Sequence, residues 1–582
     1  MPDNPNQPLD KFAIAAALQE IAALMELKGG KYRFKAKAYN AGARSLQGVG
    51  NLDQLVAQDR LTTLPRIGDA LASQIKQLYS TGESSVLNQL RQEFPSGILE
   101  LATVPGLSLT KIKLLHDELG INSIADLKAA AKEGRLRNVK GFGAKTEQAL
   151  LEVVQQERKR PSQRLYMHHA LSTGERVVEY LQMLKGLVEV SFAGSLRRQK
   201  ETVGTIEIVA SSEDPIGLIE QFLEFPLIVS RSSGEANECL VQLADGAMVS
   251  LTAVTPSEFA SALFVKTGSA AHVEKVRQYA AAKRVKLPFA NGSASSRNTR
   301  PLRSEAEIYQ RLRMQYVAPE LREDTGEIEA ALAGQLPQRL LALDDIKGMV
   351  HCHTTYSDGK HSLEDMVRAA ESMGMKYITI TDHSPTAFYA GGLTVDRLRR
   401  QWDEIDAVQE KVKIKILRGT ESDIVADGRL DYPDRILEQL DVIVASIHAR
   451  YKMDARKMTE RIVTAMRQPV FKIWGHALGR LIQRRPPIEC DVERILDTIA
   501  ESKAAVEING DPYRLDLEPN WVREARKRKI KFVISVDAHS MGALANVKFG
   551  VAMARRGWVE KSEVLNALPA SGFMKSVKPA GK

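Results

Sequence analysis

The sequence predicts a multidomain α and α/β chain, helical at its N-terminus, mixed in its middle and closing on a distorted seven-stranded (β/α)7 barrel. Three observations carry that prediction. The chain has 582 residues, too many for one hydrophobic core. Its first part shows helical periodicity and three similar turns containing glycine or serine. Beyond Asp345, seven apolar, β-branched-rich runs alternate with helical patterns, the mark of a parallel barrel with outer helices.

Composition narrows the class. There is no apolar run of about 18 residues, so no membrane span is expected. The start, MPDNPNQPLDKF, lacks a basic region followed by an apolar stretch, so no secretory leader is expected. Cys239, Cys352 and Cys490 are too few for a disulfide framework and fit a reducing cytosol. The net charge of +9 is compatible with a polyanionic partner. The expectation is a cytoplasmic, nucleoid-associated monomer.

In the first part, Ile14, Leu18, Ile21 and Met25 recur at helical spacing and read as a core face. Three segments follow: LPRIGDALASQI from Leu64, VPGLSLTKIKLL from Val104 and VKGFGAKTEQAL from Val139. Each has an apolar residue, a tight turn and a helix start, which exposes backbone N–H groups to a phosphate. They resemble helix-hairpin-helix motifs, which grip DNA backbones without reading sequence. Gly68, Gly106, Gly141, Gly143 and Lys145 are the expected contacts. The expected divisions are a helical domain over 1–90, a second helix-hairpin-helix region over 91–160, mixed α/β domains over 161–255 and 256–320, a linker over 321–344 and the barrel over 345–582.

The barrel is the most informative region. Its predicted strands end near His353, His383, Glu421, His448, His476, Asn509 and His539, and catalytic groups of such barrels lie at the C-terminal strand ends. Of eleven histidines, seven lie here and six of those stand at strand ends, His361 being the exception. Six of seven strands thus deliver a metal-type ligand to one rim: His351 and His353, His383, Glu421, His448, His476, Asp537 and His539, with Asp358 in the first loop. Period-2 alternation puts His351 and His353 on one strand face and Cys352 on the other. Mixed imidazole and carboxylate ligation suits Mn, Zn or Fe. Two or three such ions would activate water and clamp a phosphoryl group.

This set resembles the PHP (polymerase and histidinol phosphatase) domain, whose ligand order is His, His, Asp, His, Glu, His, His, Asp, His. The resemblance implies one ion on His351, His353, Glu421 and Asp537, a second on Asp358, His383 and His539, and a third on Glu421, His448 and His476, with Glu421 bridging. Glu421, Asp537 and Arg480 are the expected catalytic residues. Asn509 and Arg514 also match segments of PHP domains attached to polymerases.

Residues 193–210, AGSLRRQKETVGTIEIVA, resemble the nucleotidyltransferase palm of family X DNA polymerases. Gly194, Ser195, Arg197, Arg198, Thr267, Gly268 and Ser269 form a remnant nucleotide site. The family's carboxylates are missing: Thr205 and Glu207 replace Asp-x-Asp, and Ser250 stands where the third Asp should fall. Two-metal nucleotidyl transfer needs clustered carboxylates. The lysine of a lyase site falls on Gln74. The expectation is therefore a metal-dependent phosphoesterase acting on DNA as a 3′–5′ exonuclease or 3′-end processor in repair, with polymerase activity lost and gapped, nicked or 3′-ended DNA as partner. The alternatives are an active gap-filling polymerase with a PHP exonuclease, or a small-molecule phosphatase.

Overall fold

The computed structural model describes residues 11–47, 52–95, 97–99, 101, 104, 107–155, 164–232, 237–289 and 300–577. The chain falls into two compact units, Met1–Leu165 with Ser172–Phe192 and Gly204–Phe259, and Tyr166–Leu171 with Ala193–Val203 and Ala260–Lys582. The motif at 193–203, expected inside a domain over 161–255, thus groups with the second unit.

In the first unit, helix Lys11–Lys28 buries Ile14, Leu18, Ile21 and Met25, as their spacing predicts. One apolar cluster runs from Ile14 to Leu150, so residue 90 does not separate two cores. Gly68 and Ser108 cap helices Asp69–Thr81 and Leu109–Leu119, and helix Ala144–Gln155 follows Gly143. The apolar residues Ile67, Leu107 and Phe142 are buried, which anchors each segment to the core. The unit also holds a mixed sheet of β1 Leu187–Phe192, β2 Thr205–Ser212, β3 Ile228–Ser232, β4 Glu238–Leu243 and β5 Met248–Val254, in the order β1-β2-β5-β4-β3. β2 and β5 run parallel, with Glu207 opposite Ser250.

In the second unit, the stretch expected to be a linker is folded. Arg322 is fully buried, paired with Glu305 and stacked over Phe264, Tyr309 and Tyr316. Helix Glu327–Ala333 follows, and its buried Glu327 meets His272 Nδ1 at 2.6 Å. The stretch's richness in Glu, Ala, Pro and Gln reads as linker-like in sequence. Here the charges pair internally, which is what lets them be buried.

The barrel strands are β6 Gly348–Cys352, β7 Tyr377–Ile380, β8 Lys415–Asp423, β9 Val442–Ser446, β10 Lys472–Trp474, β11 Ala504–Asn509 and β12 Phe532–Ser535. They pair in sequence order, all parallel. At the C-terminal end of β6 and just past β12, His353 N donates to Ala538 O and Ala538 N to His351 O, at 2.9 and 3.0 Å, which nearly closes the ring. Val350, Tyr377, Leu417, Val442, Ile473, Ala505 and Val533, one from each strand, cluster with Phe573 of the terminal helix Ala570–Val577. Phe573 stacks on Tyr377 with centroids 4.8 Å apart. A Cβ at Gly348 would lie 2.1 Å from the Tyr377 ring, so only glycine lets that ring into the layer. This apolar layer leaves the polar chemistry to the opposite rim.

Candidate metal centre

The strand-end residues converge on one rim. His351, His353, Glu421 and Asp537 have ligand atoms within 4.8 Å of one another, as do His353, Asp358, His383 and His539, and His383, Glu421 and His448. His476 joins the last group, with its Nε2 2.8 Å from Glu421 Oε1 and 3.2 Å from His448 Nε2. His353 and His383 each lie between two groups, a sharing absent from the expected partition.

Glu421 is the hub. His351, His353, His383, His448 and His476 place ring nitrogens 3.3, 3.5, 3.0, 3.1 and 2.8 Å from its oxygens. A carboxylate offers about four lone-pair sites, so five imidazoles exceed what it can accept by hydrogen bonding. His351 Nε2, His353 Nε2, His383 Nδ1 and Glu421 Oε2 are buried and without hydrogen-bond partners. Unpaired buried atoms of this kind are costly. Divalent ions would satisfy them, so the donor set fits a cluster of metals.

The electrostatics point the same way. Burial would lower the histidine pKa values. The neighbouring carboxylates outweigh it, taking His383 to about 10 beside Glu421 and Asp358, and His448 to about 9 beside Glu421 and Asp423. His539 also rises to about 9, against burial, through Asp358 and Asp537. His353 falls to about 3 under burial and the charge of His383. Glu421 and Asp537 resist burial and lie well below the usual carboxylate range, drawn down by histidines around them. Without metal, the carboxylates are thus balanced by protons held on the imidazoles around them.

Local backbone aims these ligands. His351, His476 and Asp537 have φ of +64°, +25° and +51°, a region non-glycine residues rarely adopt and which clusters at functional sites. The β6–β7 register shifts between Met349 and Cys352. His351 and His353 therefore both reach the centre through a bulge rather than the regular pleat expected. Cys352 is buried, its thiol pushed up by that burial.

Several supporting residues escaped the sequence reading. The strand predicted to carry no ligand, β11, carries Glu507. Its Oε1 meets His351 Nδ1 at 2.6 Å and accepts from Ser535, while Oε2 accepts from His476 N and from Asn509 Nδ2. Asp423 meets His448 Nδ1 at 2.6 Å. Both carboxylates direct the other ring nitrogen to the centre. Buried Asp382 accepts from Thr354 N, Ser357 N and Gln401, pinning the loop that carries Asp358. Only Asp423, two residues after Glu421 on β8, had a sequence signal, an alternating carboxylate pair.

Arg480 is corrected. Its guanidinium donates to the carbonyls of Arg514 and Leu515 and pairs with Glu518 at 2.8 Å, so it clamps the 510–518 loop rather than facing the ligands. Arg514 takes the place at the centre, Nε 3.3 Å from Asp537 Oδ2 and Nη1 buried without a partner.

The other expected sites are placed as follows. Gly68, Gly141 and Gly143 have open space where a Cβ would be, and Lys145 is exposed; Gly106 lies outside the described residues. Gly194, Ser195, Arg197 and Arg198 lie on or beside the short helix Gly194–Arg197. Arg197 bonds Thr267 Oγ1 and Glu305, and Arg198 bonds Thr267 O and Glu323. Gly268 packs under Val273, and Ser269 caps the next helix. These two arginines thus already hold carboxylates. Ser250 faces Glu238 at 3.4 Å.

Residues 350–511 match the PHP domain, 10–84 a helix-hairpin-helix domain, 98–156 a SAM-like helix-hairpin-helix tandem and 262–323 the DNA polymerase beta thumb. The chain is 34% identical over 563 residues to the DNA polymerase/3′-5′ exonuclease PolX of Bacillus subtilis, covering 96% of this chain and 98% of that protein. It is 29% identical over 207 residues to a probable phosphatase of Caldanaerobacter subterraneus, covering 32% of this chain and 74% of that one.

Proposed function

The chain belongs to the family X DNA polymerases that carry a C-terminal PHP domain, and from that premise we propose that it hydrolyses phosphodiesters at DNA 3′ ends, 3′ to 5′, in DNA repair, and no longer polymerises. The observation that carries this reading is the buried convergence of five imidazoles on Glu421, in a chain whose helix-hairpin-helix and thumb segments bind DNA.

His351, His353, Glu421 and Asp537 would hold one divalent ion. Asp358, His383 and His539 would hold a second, and Glu421, His448 and His476 a third, with Mn, Zn and Fe as the candidate metals. Bound there, such ions lower the pKa of a water and neutralise phosphoryl charge. Arg514 has an unpaired Nη1 with which to bind a non-bridging phosphate oxygen. Glu507 and Asp423 hold His351 and His448 in the ligating tautomer. The turns at Gly68, Gly141 and Gly143 and the side chain of Lys145 grip the DNA backbone. Loss of polymerisation is supported by Thr205 and Ser250 at carboxylate positions, and by arginines already paired with Glu305 and Glu323.

The test is a 3′-recessed primer–template with Mn²⁺, with and without deoxynucleotides, on the wild type and the His351→Ala, His353→Ala double variant. Primer shortening lost in the double variant, with no extension by either, is expected. Extension by both would overturn the assignment of a dead palm, and shortening by both would remove the nuclease from the barrel.

A further inference from the structure

The loop that leaves His383 carries two large aromatic side chains in solvent. Phe388 is 84% exposed and Tyr389 61%. Apolar rings on a slack loop would fold back against the protein, because exposure of that area is unfavourable. This loop is not slack. Leu393 N donates to His383 O at 2.8 Å, so the loop closes on a ligand of the metal centre. Gly391 N returns to Phe388 O, and Arg397 donates to Gly391 O at 2.6 Å. Thr386 Oγ1 donates to Asp423 Oδ2 at 2.8 Å, on the carboxylate that holds His448. The loop is therefore tied to two ligands of the centre, and its tip is held outward.

The loop leaves from His383, returns to it at Leu393 and is tied through Thr386 to Asp423, so its tip lies on the rim that carries the candidate ligands. The Tyr389 phenol, raised by partial burial and then by Asp423 and Tyr451, agrees with that placement. The Phe388 and Tyr389 ring centroids are 6.1 Å apart at 78°, so one ring can lie against the face of a flat group while the other meets its edge. Exposed Arg450 and Lys452 flank Tyr451 in the loop that follows His448, supplying cations for a phosphate backbone. A ligand that offers a flat aromatic group next to a phosphodiester is an unpaired nucleotide.

We propose that Phe388 and Tyr389 form a stacking platform for the unpaired base at a DNA 3′ end, so that the site selects single-stranded ends by the base that neighbours the cleaved phosphodiester. This rests on the nuclease reading above and adds to it the part of the substrate that is recognised. Stacking on aromatic side chains tolerates any base, so the platform favours a conformation of the end rather than a sequence.

The experiment uses the full chain and the double variant Phe388→Ala, Tyr389→Ala, with Phe388→Trp as the conservative control. Both changed side chains are exposed, and a thermal melt checks that the fold is kept. With Mn²⁺, kcat/KM is measured on a single strand ending in a normal nucleotide and on one ending in an abasic nucleotide. The wild type prefers the normal end, and the double variant loses about 10- to 100-fold on that end, with little change on the abasic one. Phe388→Trp keeps the preference. Separately, a 3′-terminal 2-aminopurine strand is bound in chelator, where no cleavage occurs. The wild type quenches the base, and the double variant binds with the quenching lost. A wild type that cleaves neither end overturns the nuclease reading, and the chelator experiment then judges the platform alone. Either the end preference or the quenching left at the wild-type level by the double variant overturns the platform, and the exposed rings then serve another contact.

Discussion

Glu507→Gln separates the ligands from the groups that aim them. Glu507 is fully buried and receives four hydrogen bonds, from His351 Nδ1, Ser535, His476 N and Asn509 Nδ2. Glutamine keeps the shape but presents an NH₂ to two of those four donors. Two charge-assisted bonds are lost, at roughly 1.5–3 kcal/mol each, so the barrel should lose about 3–6 kcal/mol. In a domain of this size about 1 kcal/mol moves Tm by roughly 2–4 °C, which puts the drop at about 6–24 °C. His351 also loses the partner that fixes its tautomer, for which a fall of about 10- to 100-fold in metal affinity is expected. Glu507 does not touch substrate in the proposed reading, so kcat at saturating Mn²⁺ should stay within a few-fold of wild type. Calorimetric titration of metal-free protein with Mn²⁺, melts with and without metal, and rates across a Mn²⁺ series measure the three quantities. Wild-type metal affinity would refute the orienting role, and a collapse of kcat that saturating metal does not rescue would put Glu507 in the chemistry itself.

Further outcomes follow from the same geometry. Arg514→Ala should lower kcat/KM on 3′-ended DNA by about 10²-fold, whereas Arg480→Ala should act mainly on Tm and change the rate less; the reverse pattern would return Arg480 to the reacting groups. In metal-free protein His383, His448 and His539 sit at about 10, 9 and 9, above the ordinary value. His351 is raised as well, against its burial, by Glu507 and Glu421, so these histidines hold protons at pH 7.5 and metal binding must expel up to about four. Affinity should therefore rise with pH until about 9–10, and calorimetry in buffers of different ionisation enthalpy should show the release. Without metal, these raised values stabilise the fold fully below about pH 6.5, a contribution lost as pH rises through 9–10. The depressed Glu421 and Asp537 contribute above about pH 4.5, and that part is lost in acid. Melts of metal-free protein across pH read both limbs. Glu207→Gln should leave nuclease activity unchanged in an assay with deoxynucleotides, where a working palm would lose extension.

The ligands were legible because parallel strands deliver residues to one rim, and because His351, His353, Asp537 and His539 stand in pairs two residues apart beside β-branched runs. Glu507 and Asp423 were not, because a carboxylate that orients a ligand looks in sequence like any strand polar residue; only the fold brings Glu507 from β11 under His351. Arg480 misled for the opposite reason. An arginine near a strand end is as able to close a loop on its carbonyls, as Arg480 does at Arg514 and Leu515, as to meet a phosphate, and spacing does not separate the two. The stretch 321–344, rich in Glu, Ala, Pro and Gln, reads as a linker because composition does not show that Arg322 and Glu305, or Glu327 and His272, pair inside. Phe388 and Tyr389 carry no periodic signal at all.

The polymerase motif divides along a physical line. The positions that match the family are those with packing partners: Arg197 and Arg198 on Glu305, Glu323 and Thr267, and Glu201 paired with Arg556 and near Arg480 at 3.7 Å. Glu201 stays ionised against its burial because Arg556 and Arg480 draw it down to about 2. The positions that depart, Thr205 and Ser250, are those whose role in the resemblance is to hold ions. Replacing Arg197 or Glu201 leaves a buried charge without its partner, which costs several kcal/mol. Replacing a carboxylate that only bound metal removes like-charge repulsion once the metal is gone. A palm relieved of catalysis would be expected to lose its carboxylates and keep its ion pairs. On that reasoning Arg198→Ala should destabilise the protein in a melt while leaving 3′-end hydrolysis at low temperature intact, and a loss of hydrolysis without a loss of stability would show that the motif still meets the substrate.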